Sequence, residues 1–143
     1  NTIIEEACKM NNEKIEDTNA VISYTNLPSI VSCKMPLIQI FHNLIGNALK
    51  YHKENTPPNI TIKVAEYEKK WLFKIKDNGI GIENEYLEKI FVIFQRLHTK
   101  NEFSGNGVGL AIVKKLIENL NGTIWVESEI DKGSTFYFTL PKK

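Results

Sequence analysis

Two pairs of strand-like stretches, separated by helical sequence, limit this chain to few architectures. "ITIKVAEY" (60–67) and "WLFKIKD" (71–77) alternate at period two on either side of "EKK". "TIWVESE" (123–129) and "TFYFTL" (135–140) flank "IDKGS". Each pair reads as a β-hairpin. The remaining chain predicts helices over 2–15, 36–53, 83–94 (one or two short ones) and 107–120, and a strand at "AVISYTNL" (20–27). Pro36 suits a first helical turn, and Asn121-Gly122 a helix stop. Hairpins that alternate with helices predict a mixed sheet covered on one face, a two-layer α/β sandwich.

The chain has 143 residues, which suits a single domain over 1–143 with a real core. Its 18 basic and 17 acidic residues leave a net charge of +1, so no global field points to nucleic acid or an anionic membrane. Cys8 and Cys33 lie far apart without metal-ligand spacing, which fits reduced thiols in a cytosolic fold. No apolar run approaches the ~18 residues of a membrane span, and the polar, acidic start is unlike a signal peptide. The chain also lacks an initial Met, so the expectation is a cytoplasmic segment of a longer parent that could itself be membrane-anchored.

Three local patterns carry chemistry. In "FSGNGVGLAIVKK" (103–115), Gly105, Gly107 and Gly109 stand at the entrance of a helix whose Val113, Leu116, Ile117 and Leu120 share one face. A helix N-terminus presents unpaired N–H groups and partial positive charge, and glycines there let an anion approach. The spacing fits neither a dinucleotide fingerprint, because Leu110 takes the last glycine's place, nor a Walker loop. In "DNGIGI" (77–82), Asp77 ends a strand and two glycines let the backbone pass close to something. Asp77 could accept a hydrogen bond from an exocyclic amine. On "PLIQIFHNLIGNALKYHK" (36–53), Asn43, Asn47 and Lys50 cluster at the edge of an apolar stripe. Amide oxygens suit Mg²⁺, and a lysine one turn on could neutralise a phosphate. Taken singly, these are equally a hinge, a solvated turn and a polar helix face.

Together they are more specific. "FHNLIGNALKY" (41–51), "DNGIGI" (77–82), "IFVIFQRLH" (90–98), "GNGVGLAIVKKLIENLNG" (105–122) and "GSTFYFTLP" (133–141) resemble, in order and spacing, the ATP-binding catalytic domain of sensor histidine kinases. That family shares the Bergerat fold with gyrase, MutL and heat-shock chaperones, and the wording is similar to its phytochrome-like and multi-sensor branch. The resemblance covers about residues 20–141.

It implies ATP and Mg²⁺ as cofactors. Asn47 is similar to the magnesium-binding asparagine, with Asn43 near metal and phosphates, Lys50 on phosphate and Tyr51 beside the nucleotide. Asp77 matches the aspartate that reads the adenine amine, and Gly79 and Gly81 give the purine room. Phe91 and Phe94 match the motif anchoring a lid, and Arg96 stands where a cation helps position the phosphoryl group. Gly105, Gly107, Val108, Gly109 and Leu110 match the lid end and helix start over the phosphates, and Thr135 a threonine supporting adenine recognition. Catalytic roles fall to Asn43, Lys50 and Arg96.

Two positions depart from the family's usual wording: Cys33 stands where Asp is common and Asn106 where Thr is frequent. His42, His52 and His98 are followed by Asn43, Lys53 and Thr99, not by the acidic residue that follows the family's phosphoacceptor. The acceptor is therefore expected on a separate dimerisation domain, with a response regulator downstream and no nucleic-acid or membrane contact by this domain. The isolated chain is expected to be a monomer and its parent a dimer. A same-fold serine kinase or ATPase, and a nucleotide-binding module without transfer activity, are the alternatives.

Overall fold

The computed structural model describes residues 2–24, 34–82 and 108–142. In chain order these form α1 (Thr2–Met10), α2 (Asn12–Thr18), β1 (Val21–Tyr24), α3 (Lys34–Lys50), β2 (Asn59–Glu66), β3 (Lys70–Lys76), α4 (Val108–Asn119), β4 (Thr123–Glu129) and β5 (Gly133–Pro141). The strands make one mixed sheet in the order β1-β2-β3-β5-β4. Only β1 and β2 run parallel, Val21 opposite Asn59 and Tyr24 opposite Ile62. Parallel neighbours need a crossover, and α3 lies between them in the chain. The two expected hairpins form, and β5 inserts between β3 and β4, so the second hairpin pairs with the first through Lys76 and Thr135.

Alternation along the strands sorts the two faces. Ile60, Ile62, Phe73, Ile75, Val126, Phe136, Phe138 and Leu140 are buried and form one cluster with Ile4, Phe41, Leu44, Val113 and Ile117 from the helices. Phe73 stacks on Phe138 at 4.6 Å between ring centroids, and Phe41 meets both rings edge-on. Such pairs add ~0.5–1.5 kcal/mol beyond the area they bury. Intervening residues point to the other face, where Lys63 and Lys74 are exposed and Trp125 stacks on Tyr137. The sheet is thus covered on one side, as expected.

Element boundaries moved for local reasons. The expected helix over 2–15 is two helices broken at Asn11, whose buried side-chain amide donates to the carbonyl oxygens of Ala7 and His42. An Asn side chain that bonds main chain competes with helix continuation. α3 starts at Lys34, before Pro36, which is harmless because the first four helical N–H groups have no intrahelical partner. β5 begins at Gly133, where φ is +107°, two residues earlier than the side chains indicate. The short helices expected at 83–94 and the loop expected at 95–106 lie outside the described residues. Among the described residues, no helix is long and apolar enough to cross a membrane.

Candidate functional site

The C-terminal end of α3, the 77–82 loop and the β4–β5 turn converge, through Ile80 N–H on the Tyr51 carbonyl and Asp131 N–H on the Ile80 carbonyl. α3 buries Leu37, Ile40, Phe41, Leu44, Ala48 and Leu49 against the core. Each of the Leu, Ile and Phe side chains is worth ~1.5–3 kcal/mol in burial, so the helix cannot easily rotate. That fixes Asn43, Asn47 and Lys50 at the edge of the buried stripe, all three half-buried. Gln39 donates a long hydrogen bond, 3.4 Å, to Asn43 Oδ1. Asn43 Nδ2 is buried with no hydrogen-bond partner among the described residues. A buried donor without an acceptor costs ~1–3 kcal/mol, so a site that supplies an acceptor gains by it. The Asn47 backbone oxygen accepts from Tyr51 N–H at 3.1 Å, carrying the helical pattern one residue further. Lys50 Nζ stands 5.7 Å from the centre of the Tyr51 ring.

Asp77 follows directly on β3 and is only 8% exposed. Its Oδ1 accepts from Gly79 N–H at 2.9 Å and from Ser134 N–H at 3.2 Å, and its own N–H donates to the Ser134 carbonyl at 2.9 Å. Burial pushes its carboxyl above the usual carboxylate range, and the two N–H groups pull part of that back. Both bonds among the described residues fall on Oδ1. Oδ2 therefore keeps its acceptor capacity.

The 77–82 loop is held to the scaffold on every side. Asn78 Oδ1 accepts from Asn59 N–H, and its Nδ2 donates to the Pro57 carbonyl. Ile80 N–H donates to the Tyr51 carbonyl at 3.0 Å, and the Ile80 carbonyl accepts from Asp131 N–H at 2.8 Å. A Cβ on Gly79 would stand 2.5 Å from the Tyr51 carbonyl oxygen. Gly81 has φ +79°, and its Cβ would stand 2.1 Å from the Glu129 carbonyl oxygen. In this structure, then, the protein's own main chain already requires glycine at both positions.

Other expected residues divide. Val108 and Gly109 lie in the first turn of α4, and Leu110 is buried in the core cluster. Thr135 pairs with Lys76 and Glu127 on the face that carries Tyr137. The residue of β5 that meets Asp77 is Ser134, which the sequence reading missed. The clue was available: Ser134 is the neighbour that the pairing of β3 and β5 brings to the end of β3. Phe91, Phe94, Arg96, Gly105 and Gly107 lie outside the described residues.

Residues 33–143 match the family model described as histidine kinase-, DNA gyrase B-, and HSP90-like ATPase. The chain belongs to that ATPase family. Its curated relatives include phytochromes and sensor histidine kinases. Cyanobacterial phytochrome A of a Nostoc species is 49% identical over 129 residues, covering 90% of this chain and 17% of that protein. Phytochrome-like protein Cph1 of a Synechocystis species is 43% identical, covering 97% of this chain and 18% of that protein. The chain thus spans less than a fifth of these relatives. Among solved structures, the catalytic domain of histidine kinase ThkA in a nucleotide-free form superposes with a TM-score of 0.80 at 29% identity, covering 99% of this chain and 91% of that one. The family's description as an ATPase implies ATP use by the domain.

Proposed function

We propose that this domain binds Mg-ATP and transfers the γ-phosphoryl group to a histidine on a separate dimerisation domain, from which a response regulator draws it. The observation that carries the reading is Asp77: a buried carboxylate anchored through one oxygen, with the other left to accept from an adenine amine. Asn43, Asn47 and Lys50 extend the site towards the phosphates, with Tyr51 beside the nucleotide. The main chain at the start of α4 adds the partial positive charge of a helix N-terminus. Arg96 and the glycines at 105 and 107 complete the phosphate end in this reading.

The residues present fit Mg²⁺. The Asn47 side chain engages no hydrogen-bond partner among the described residues, which leaves its amide oxygen available, and Asn43 offers a second amide. No group of three or more His, Cys, Asp or Glu able to hold a metal occurs among the described residues. A metal here would take most of its ligands from phosphates and water, the coordination Mg²⁺ prefers. When bound, Mg²⁺ neutralises charge on the phosphates. The protein's own share is to fix the nucleotide at Asp77, hold the phosphate chain along α3 and place Lys50 where negative charge accumulates. The nucleophile comes from the partner, so the isolated chain binds ATP but turns it over little.

On the same reading the 143 residues form one domain, monomeric when isolated, within a dimeric parent. The domain works on the cytoplasmic side without touching membrane or nucleic acid. Phosphotransfer assays with a dimerisation domain supplied in trans test the proposal. Asn47→Ala should abolish Mg²⁺-dependent transfer, and label should appear as acid-labile phosphohistidine. Acid-stable phosphoserine would favour the serine kinase alternative, release of free phosphate alone an ATPase, and binding without turnover a nucleotide-holding module. Unchanged transfer by Asn47→Ala would remove the metal assignment.

A further inference from the structure

The β4–β5 hairpin borders the 77–82 loop, and one serine of β4 stands out. Ser128 and Ser134 face each other across the β4–β5 ladder. Their hydroxyl oxygens are 2.7 Å apart. Ile82 N–H, at the far end of the 77–82 loop, donates to Ser128 Oγ at 2.7 Å, and Ser128 Oγ–H donates to the Gly133 carbonyl at 3.0 Å. A hydroxyl has one hydrogen and two lone pairs. With its hydrogen on Gly133, Ser128 accepts from both Ile82 and Ser134, and every valence is used. Ser134 meanwhile donates its N–H to Asp77 Oδ1 and accepts from Asp77 N–H through its carbonyl, at the near end of the same loop. Between those ends, Asp131 N–H holds the Ile80 carbonyl. The two serines therefore tie both ends of 77–82 to one hairpin.

We propose that Ser128 is a positioning residue for nucleotide binding, setting the 77–82 loop so that Asp77 is presented to adenine. The inference rests on the assignment of Asp77 as the adenine reader. Ser128 does not touch the ligand; it acts through Ile82 and Ser134. Losing one hydroxyl strands the Ile82 N–H and frees the Ser134 hydroxyl, a loss on the order of one hydrogen bond and about tenfold in affinity.

The test is calorimetric titration of the 143-residue chain with Mg-ADP, paired with amide hydrogen exchange. Ser128→Ala should raise the Kd about tenfold and speed exchange at Ile82, with Phe136 and Phe138 in the sheet still protected. Ser128→Thr, which keeps a hydroxyl on a strand-favouring residue, should restore both. Undiminished affinity in Ser128→Ala overturns the inference. So does an affinity loss accompanied by lost protection across β4 and β5 that Ser128→Thr fails to rescue, because that is general unfolding. Asp77→Asn separates the two levels. If it abolishes binding while Ser128→Ala does not weaken it, only the role of Ser128 fails; if it binds like wild type, the adenine assignment fails and Ser128 falls with it.

Discussion

Replacing Asp77 by Asn separates ligand chemistry from folding with a single atom. The Asn side chain keeps an oxygen where Oδ1 accepts from Gly79 and Ser134, so the internal bonds survive. What changes is the position of Oδ2, where an acceptor becomes an NH₂ donor facing the donor amine of adenine. A hydrogen bond involving a charged group contributes ~1.5–3 kcal/mol, and setting donor against donor leaves a buried group unpaired at a further ~1–3 kcal/mol. The combined loss is about 2.5–6 kcal/mol, or roughly two to four orders of magnitude in Kd at 1.4 kcal/mol per tenfold. Stability should move the other way. Because burial raises the Asp77 carboxyl, ionisation in the folded state works against the fold. For a carboxyl raised on folding, that penalty is absent at pH below the unfolded value near 3.8, grows as pH rises through the folded value, and is complete above it. At neutral pH the Asn variant, which never ionises, should melt no lower than wild type in the absence of nucleotide. Calorimetry with Mg-ADP and thermal melts at pH 7 give both numbers. Binding within threefold of wild type would refute the adenine role; a collapsed melting temperature would mean Asn cannot keep the two N–H bonds.

Gly81→Ala should destabilise the chain by at least ~1–3 kcal/mol in denaturant titration, because φ is +79° and the new Cβ would stand 2.1 Å from the Glu129 carbonyl oxygen. It should also weaken Mg-ADP binding, since main chain must shift within the loop that carries Asp77. His42 titrates below its usual value through burial and the nearby charge of Lys14. A depressed histidine favours the neutral form when folded, so its contribution is present above the unfolded value near 6.5 and is lost as pH falls below that value towards the folded one. His42→Gln should therefore flatten the fall in melting temperature between pH 7.5 and 5.5; an identical slope would show that His42 does not drive it.

The parts legible in the sequence were those with a local cause. Period-two alternation located β2 and β3 to within a residue, and the spacing of Val113, Leu116, Ile117 and Leu120 located α4. The position of β5 between β3 and β4 is set by long-range pairing and leaves no mark within any one window. Asn11 reads as one more polar residue on a helix; its role depends on His42, thirty-one residues away. The site divides in the same way. Asp77, Asn43 and Asn47 were visible because their residue types carry the chemistry. Ser134 meets Asp77 through its peptide groups, which every residue has, so only the strand register identifies it. Gly79 and Gly81 were visible as glycines, but their partners, the carbonyl oxygens of Tyr51 and Glu129, carry no side-chain signature.

That last point bears on how the two ends of the site are kept in step. The Tyr51 carbonyl lies just past the helix that holds Asn43, Asn47 and Lys50, and it accepts from Ile80 in the loop that holds Asp77. On the proposed assignment, the distance from Asp77 to Asn43, Asn47 and Lys50 is therefore set by a main-chain hydrogen bond, which no substitution of the Tyr51 side chain removes. What can lengthen it is bulk in the approach, and Gly79, whose Cβ would stand 2.5 Å from that same oxygen, is where bulk would enter. A nucleotide spanning both ends gains only if their separation is already correct, because each tenth of an ångström of adjustment is drawn from binding energy. If Asp77 and α3 hold the two ends of a nucleotide as proposed, Gly79 contributes to affinity by letting the loop and the end of α3 touch, independently of any contact it makes with the purine.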